Sequence, residues 1–218
     1  MVRIITSAAL AAVILGGNCA VAQEKEGNWM VRFRAMNLDM KNTSDQGSGA
    51  LTPAQLPSNS VKSNDKTIPE VDITYFITPS WAAELVLTVP QKQNLRITQG
   101  PLAEPIGSFK HLPPTLLLQY HFNPAGELRP YVGAGINYTR ISSVRVRSNI
   151  AGADMYLDSK SVGPAFQVGA DYKLKDNWFV NVDLKKIYID TDIKVGTVKS
   201  SHLNLDPLSL SIGIGKRF

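Results

Sequence analysis

The sequence predicts an all-β protein, an eight-stranded antiparallel transmembrane β-barrel with its N- and C-termini in the periplasm. Three observations predict this class: an alternating last strand, an export signal at the opposite chain end, and short turns that alternate with long polar segments. Apolar residues occupy one face of the last strand: Leu208, Leu210, Ile212 and Ile214. Small residues occupy its other face: Ser209, Ser211, Gly213 and Gly215. Because residues two apart share a strand face, one side of this strand suits lipid and the other a lumen.

Residues 1–22 predict a cleaved signal peptide. Arg3 precedes an apolar run, residues 4–15, and Ala20-Val21-Ala22 has the small-x-small pattern of a cleavage site. The run is shorter than the ~20 residues that a spanning helix needs. We expect residues 23–218 to form a single barrel domain. The sole cysteine, Cys19, would leave with the signal, so no disulfide would stabilise the mature chain.

Composition excludes several classes of function. The chain has 218 residues, with 23 Lys and Arg against 18 Asp and Glu, a net charge of +5. This excess is small and scattered, so we expect no nucleic-acid partner. No segment after the signal is continuously apolar for the length of a membrane helix, whereas a barrel that alternates lipid-facing and lumen-facing residues has an average composition. The expected partner is therefore outer-membrane lipid.

Alternating runs divide the chain into eight predicted strands. They cover residues 28–39, 71–77, 81–89, 115–122, 132–139, 166–172, 178–188 and 208–218. Tight turns rich in Pro, Asn, Asp and Gly join some of them, at residues 78–80, 123–126 and 175–177. Longer polar segments join the others, at residues 41–66, 91–108, 145–158 and 196–202. An even strand number with alternating short and long connections is typical of outer-membrane barrels, whose short turns face the periplasm.

The inward faces of these strands carry charges of both signs. They are Arg32, Arg34, Asp72, Glu84, Asp171, Asp183 and Lys185. An eight-stranded barrel is wide enough inside only for side chains or one small ligand, so these charges must pair with one another. Two interpretations remain open: a structural ion-pair network that closes the periplasmic half, and a gate or proton relay.

Toward the outer half, the inward residues become apolar. Val86, Leu117, Ile187 and Ile189 form this predicted apolar lumen. The consecutive residues Pro113 and Pro114 precede the fourth strand, and proline cannot donate a hydrogen bond to a neighbouring strand. They mark either an ordinary strand end or a lateral opening in the barrel wall.

Three segments carry a resemblance to a known family: HLPPTL at residues 111–116, RPYVGAGINYT at residues 129–139, and QVGADY at residues 167–172. They are similar to the OmpW family of outer-membrane proteins. The resemblance implies a narrow hydrophobic channel for passive uptake of small hydrophobic molecules, with lateral exit into the membrane beside the paired prolines.

The resemblance also bears on two further positions. It implies a hydrophobic constriction at a position where this chain has Lys185, with Val86 as the apolar partner. It implies that the barrel-assembly machinery recognises the aromatic C-terminal residue, which is Phe218 in this chain.

Two other classes of function are weighed against uptake. In the first, the protein is a receptor or adhesion protein whose long segments 41–66 and 91–108 bind host surfaces, phage or bacteriocins, and the barrel only holds them. In the second, the barrel is an enzyme, but the three histidines, His111, His121 and His202, give no spacing for a catalytic triad or a metal site. We therefore expect no enzymatic activity, no cofactor and no metal.

Overall fold

The computed structural model describes residues 26–146 and 155–218, so the predicted signal peptide lies outside the described residues. The described chain forms the strands β1 (Trp29–Asp39), β2 (Thr43–Ser44), β3 (Val61–Ser63), β4 (Lys66–Phe76), β5 (Trp81–Thr88), β6 (Gln91–Ile97), β7 (Pro105–Leu112), β8 (Thr115–His121), β9 (Leu128–Val146), β10 (Met155–Leu157), β11 (Lys160–Lys173), β12 (Trp178–Ile187), β13 (Asp190–Val195), β14 (Val198–Asn204) and β15 (Leu208–Arg217). Within these residues no helix is long and apolar enough to cross a membrane.

Eight of these strands close into a barrel. Their order around the wall is β11, β12, β15, β1, β4, β5, β8 and β9, and β9 pairs back with β11. All neighbours are antiparallel, as in the long β9–β11 ladder from Leu128↔Tyr172 to Arg140↔Lys160. The predicted eight-stranded antiparallel barrel is confirmed, because each predicted run coincides with one strand of the closed wall.

The two ends of the barrel differ in their connections. At one end, short turns join Phe76 to Trp81, His121 to Leu128, and Lys173 to Trp178. The first and last strands also meet there, since Trp29 and Phe218 exchange backbone hydrogen bonds of 3.1 and 2.8 Å. We call this the turn end and the opposite one the loop end.

The wall has an apolar outside and a mixed inside. Large apolar side chains point outward and stay exposed, for example Phe33 at 59% and Ile136 at 62%. Aromatic pairs ring the outside of the turn end, with Trp29 4.8 Å from Tyr75 and Trp81 4.9 Å from Tyr120 between ring centroids. An apolar band bordered by aromatic rings is the outer surface that a barrel presents to lipid.

The loop end is more ordered than the sequence predicts. Residues 91–108 were expected as a polar segment, but most of them belong to β6 and β7, a hairpin that continues the wall beyond β5 and β8. Gln91, Gln93, Leu95 and Ile97 point inward and are buried. The two inward glutamines conceal the apolar alternation that identifies a strand, because they fill positions where apolar residues were expected.

At the loop end, β3 pairs with β6, and the other four strands form a second, smaller sheet. Its order is β10, β13, β14 and β2. Its buried residues Ile193, Val195 and Leu203 join the apolar cluster that begins inside the barrel.

Candidate functional site

The centre of the lumen is filled by buried ion pairs around Arg32. This residue comes from β1, which points alternate side chains into the barrel. Its guanidinium lies 2.7 Å from the Glu84 carboxylate and 2.6 Å from that of Asp171, and it donates a 2.6 Å hydrogen bond to the Thr74 hydroxyl. The Arg32 side chain is fully buried. These contacts join β1, β4, β5 and β11 across the lumen.

Arg34 and Lys185 form the next level of the same network. Arg34 lies 2.6 Å from Asp72 and 3.3 Å from Asp183. The Lys185 ammonium lies 2.5 Å from Asp183 and 3.1 Å from Glu70. All of these side chains are fully buried. The structure thus brings together all seven charged residues that the sequence singled out.

Sequence reasoning missed three members of this network. Glu70 was missed because the second strand was started at Val71, whereas β4 begins at Lys66. Extending the alternation back from Asp72 would have placed Glu70 inward. Tyr131 donates a 2.8 Å hydrogen bond to Asp183, and Asn181 donates one of 2.8 Å to Asp171. The sequence does not indicate which uncharged polar side chains on an inward face donate hydrogen bonds to buried carboxylates.

The network contains more acid than base. Five acidic side chains, from Glu70, Asp72, Glu84, Asp171 and Asp183, surround the three basic side chains of Arg32, Arg34 and Lys185. Buried charges in a low-dielectric interior interact strongly. These ion pairs therefore connect strands on different sides of the wall across the lumen.

Below the network, the turn end is sealed by an apolar layer and a second ion cluster. Met30, Phe76, Ala82 and Phe179 form the apolar layer. Glu26 then pairs with Arg129 at 2.6 Å, with Lys173 at 2.5 Å and with Arg217 at 2.9 Å. Burial alone would raise the pKa of Glu26, but the hydrogen bonds from Arg129 and Lys173 outweigh it and lower this pKa to about 2.

Above the network, the lumen is apolar. The predicted residues Val86, Leu117, Ile187 and Ile189 all belong to one buried cluster and are at most 3% exposed. The cluster continues upward through residues of the loop end, among them Leu95, Ile97, Phe109 and Ile141. We call the part of the lumen that these packed side chains occupy the upper chamber.

One inward histidine borders the upper chamber. His111 lies on β7, with its Nε2 3.4 Å from Gln93 Nε2. Burial lowers the pKa of His111 to about 4, so its ring is neutral at physiological pH. Within the described part of the chain, no group of His, Cys, Asp or Glu is arranged to hold a metal ion.

The paired prolines lie at a break in the wall. β7 ends at Leu112 and β8 begins at Thr115, so Pro113 and Pro114 separate two strands that run in line. On the β9 side, the gap is closed. The side-chain amide of Asn137 donates to the Pro113 and Pro114 carbonyls at 3.2 and 3.3 Å. The backbone N–H of Tyr138 donates to the Pro114 carbonyl at 3.0 Å.

On the other side of the prolines, the ladder is interrupted. The β5–β8 pairing ends at Val86↔Thr115, and the β6–β7 pairing starts again at Gln91↔His111. Residues 87–90 therefore face residues 112–114 without a ladder pair. We call this break the wall interruption. Its lower edge is Val86 and its upper edge is His111, so it lies beside the upper chamber.

The position of the implied constriction carries a charge. Lys185 belongs to the ion-pair network, whereas Val86 packs in the upper chamber. At the chain terminus, the side chain of Phe218 is 61% exposed on the outer surface of the turn end. The neighbouring Lys216 ammonium lies 5.3 Å from the centre of the Trp178 ring.

Comparison with known proteins places this geometry among outer-membrane barrels. The sequence model of the OmpW family matches residues 25–218. The chain is 35% identical over 195 residues to outer-membrane protein y4mB of Sinorhizobium fredii, covering 87% of this chain and 80% of that protein. It is 30% identical over 171 residues to the dibenzothiophene metabolism operon protein PahQ of Pseudomonas aeruginosa, covering 77% and 79%.

A solved structure of an outer-membrane protein has a similar fold. The crystal structure of the outer membrane protein OprG from Pseudomonas aeruginosa matches with a TM-score of 0.75 at 27% sequence identity. The match covers 89% of this chain and 97% of the OprG chain.

Proposed function

Because the chain belongs to the OmpW family of outer-membrane proteins, we propose that it is a passive channel for small hydrophobic molecules. A molecule enters the upper chamber from the loop end, is held there by apolar side chains, and leaves sideways through the wall interruption into the membrane. The proposal includes the orientation of the barrel, with the loop end outside the cell and the turn end, with both termini, in the periplasm.

One observation carries the proposal: the apolar upper chamber ends on a filled charged layer and borders a break in the wall. An apolar molecule in the chamber cannot pass downward without separating buried ion pairs, which costs several kcal/mol. Beside Val86 and His111 the ladder is already interrupted, so a sideways exit breaks no ladder hydrogen bond between β5 and β8. A relative named for dibenzothiophene metabolism supports an apolar solute.

Reconstitution tests the proposal directly. Vesicles with and without the protein are mixed with an apolar dye that fluoresces only in bilayers, and separately with a small sugar. We expect faster entry of the dye into the bilayer and no change in sugar flux. Equal dye entry in both vesicles, or sugar flux through the protein, would contradict the proposed route.

The remaining expectations about the ends of the chain are tested in cells. We propose that the signal is removed after Ala22, so the mass of the exported chain should correspond to a first residue Gln23. We further propose that the assembly machinery binds the last strand through Phe218. The variant F218A should then insert more slowly than a variant of the lipid-facing Ile214.

A further inference from the structure

The charges on the outside of the loop end are distributed unevenly. On the side of the smaller sheet, the cations have acidic partners. Lys41 pairs with Asp39, Lys194 pairs with Asp158, and Lys199 lies 2.7 Å from Asp192. Surface charges on this side therefore neutralise one another.

The outward faces of β6, β7, β9 and β11 carry a second set of cations. Lys92 on β6, Lys110 on β7, Arg140 on β9 and Lys160 on β11 all point outward and are exposed. In the described part of the chain, no carboxylate lies within ion-pair distance of any of them. We call these four residues the basic patch.

The register places the members of the basic patch side by side. Lys92 is directly opposite Lys110, and Arg140 is directly opposite Lys160. Lys110 is opposite Ser142, two residues from Arg140, so the two pairs are diagonal neighbours. Like charges directly opposite each other destabilise a sheet. An anion bound across the patch would remove this repulsion.

The basic patch lies where the apolar outer face ends. On β9, outward Ile136 and Tyr138 lead directly to Arg140, and on β11, outward Val162 is the next outward residue after Lys160. Tyrosine and tryptophan settle at the level of lipid headgroups, so the cations immediately beyond Tyr138 reach that level. A soluble anion could bind cations at any height on the barrel. A lipid headgroup is held at this height by its acyl chains.

A cavity lies at the end of the patch formed by Arg140 and Lys160. It has a volume of about 410 Å³ and is lined by Tyr138, Arg140, Ile141, Ser142, Ser159 and Lys160. The lining supplies a guanidinium, an ammonium and two hydroxyl groups, which are the donors that phosphate oxygens accept. The Tyr138 ring supplies an apolar edge toward the membrane.

We propose that the basic patch binds the phosphate groups of a bisphosphorylated lipid in the membrane leaflet at the loop end. Arg140 and Lys160 hold one phosphate at the cavity, and Lys92 and Lys110 hold a second along the same rim, with the acyl chains against the outer faces of β8, β9 and β11. The binding would fix one side of the barrel to an anionic lipid. It uses the proposed orientation but not the proposed transport.

Lipid binding to the purified full-length barrel tests the inference. The protein in zwitterionic detergent is titrated with a bisphosphorylated glucosamine lipid, and bound lipid is counted by mass spectrometry of the intact complex. The same acylated sugar without phosphates and phosphatidylcholine serve as reference lipids. We expect tight binding only of the phosphorylated lipid, weakened by salt because the contact is between charges.

Paired variants decide which residues carry the binding. R140Q/K160Q and K92Q/K110Q should each weaken binding about 20-fold, because each cation near an anionic surface contributes roughly a fivefold effect. The matched control K41Q/K199Q removes two cations that have acidic partners and should leave affinity unchanged. Both patch variants should fold at least as well as the parent in zwitterionic detergent, because a like-charge pair is gone.

Three results with the variants and the reference lipids would overturn the inference. They are unchanged affinity in the variant that lacks all four cations, an equal loss in the control, and equal binding of the lipid without phosphates. Competition by millimolar inorganic phosphate would show a free-anion site instead of a lipid site and would also overturn it. Because no result depends on dye uptake, a failed transport assay leaves the outcome unaffected.

Discussion

The two halves of the narrow lumen are filled by side chains of opposite character. In the half toward the turn end, buried charges fill the space, and every strand of the wall except β8 and β15 contributes a side chain to the network or to the hydrogen bonds around it. In the half toward the loop end, apolar side chains border a chamber beside a break in the wall. The comparison teaches that one small barrel can fill one layer of its lumen with ion pairs and the next with apolar side chains.

The physical reason is the difference in cost between the two layers. Separating a buried ion pair leaves charges without partners in a medium that solvates them poorly. When an apolar solute separates apolar side chains, each contact between two side chains is replaced by a contact between a side chain and the solute, which is also apolar. The proposed route therefore uses the apolar upper half and leaves the ion pairs of the lower half intact.

The largest expected effect comes from breaking the lower half. Among the described residues, Asp72 has Arg34 as its ion-pair partner, so R34M leaves this carboxylate buried and unpaired. We expect a loss of about 3–5 kcal/mol in the free energy of unfolding, measured by urea titration in lipid vesicles. The exposed turn variant K175M should change it by less than about 0.5 kcal/mol. The double variant R34M/D72L should recover part of the loss, and no recovery would contradict the pairing.

A smaller loss of stability should follow at the seal of the turn end. The pKa of Glu26 is lowered to about 2 in the folded barrel, so its contribution is fully present above its ordinary value of 4.5 and is lost as the pH falls toward 2. At pH 7, E26Q should cost about 2 kcal/mol, and the difference from the parent should disappear at pH 2. E127Q, at an exposed position of the same end, is the control. A difference that stays constant with pH would rule out this ion cluster as the cause.

The upper half can be filled without touching the lower one. Leu117 is 1% exposed and points into the chamber, whereas its neighbour Leu116 is 59% exposed and faces lipid. L117F should reduce dye entry about tenfold by occupying the chamber, and L116F should leave it unchanged. Each variant is first checked for folding by its shift in gel mobility on heating. Equal dye entry in L117F and the parent would place the solute elsewhere.

The smallest effect is expected at the wall interruption. P113A/P114A restores two backbone donors, which lets β7 and β8 continue as one strand beside β5. Because Pro90 still faces this region, closure is incomplete, and we expect dye entry to fall about threefold. The variant P130A, in the paired part of β9, serves as a comparison. An increase in dye entry would contradict a role for the prolines in holding the gap open.

Much of this architecture follows from the sequence because barrel strands repeat with a period of two. Alternation placed the inward charges from Arg32 to Lys185 and the apolar residues from Val86 to Ile189 without any contact information. It failed at Glu70, where the strand start was set too late, and at β6, where Gln91 and Gln93 replace apolar residues. It also cannot say which acid meets which base, because pairing across a lumen depends on strand order and tilt.

The wall interruption lies at the limit of such reasoning. Pro113 and Pro114 indicate a break in one strand. An opening in the wall also requires that the neighbouring strand has no ladder pairs at the same height. The neighbouring strand is unpaired there because β5 ends close to Pro90. Whether this end lies beside Pro113 and Pro114 depends on the register between the two strands. A single prolyl pair in sequence is equally compatible with an ordinary strand end.

The most direct test of the two-layer account is labelling with a photoreactive alkane in bilayers. After illumination, peptide mass spectrometry locates the inward residues that carry the label. The account predicts labelling of the chamber residues Val86, Leu117 and Ile187, and no labelling of inward Met30 and Phe179 below the ion-pair network. Label on Met30 or Phe179 would mean that apolar molecules pass through the charged layer, and it would contradict the account.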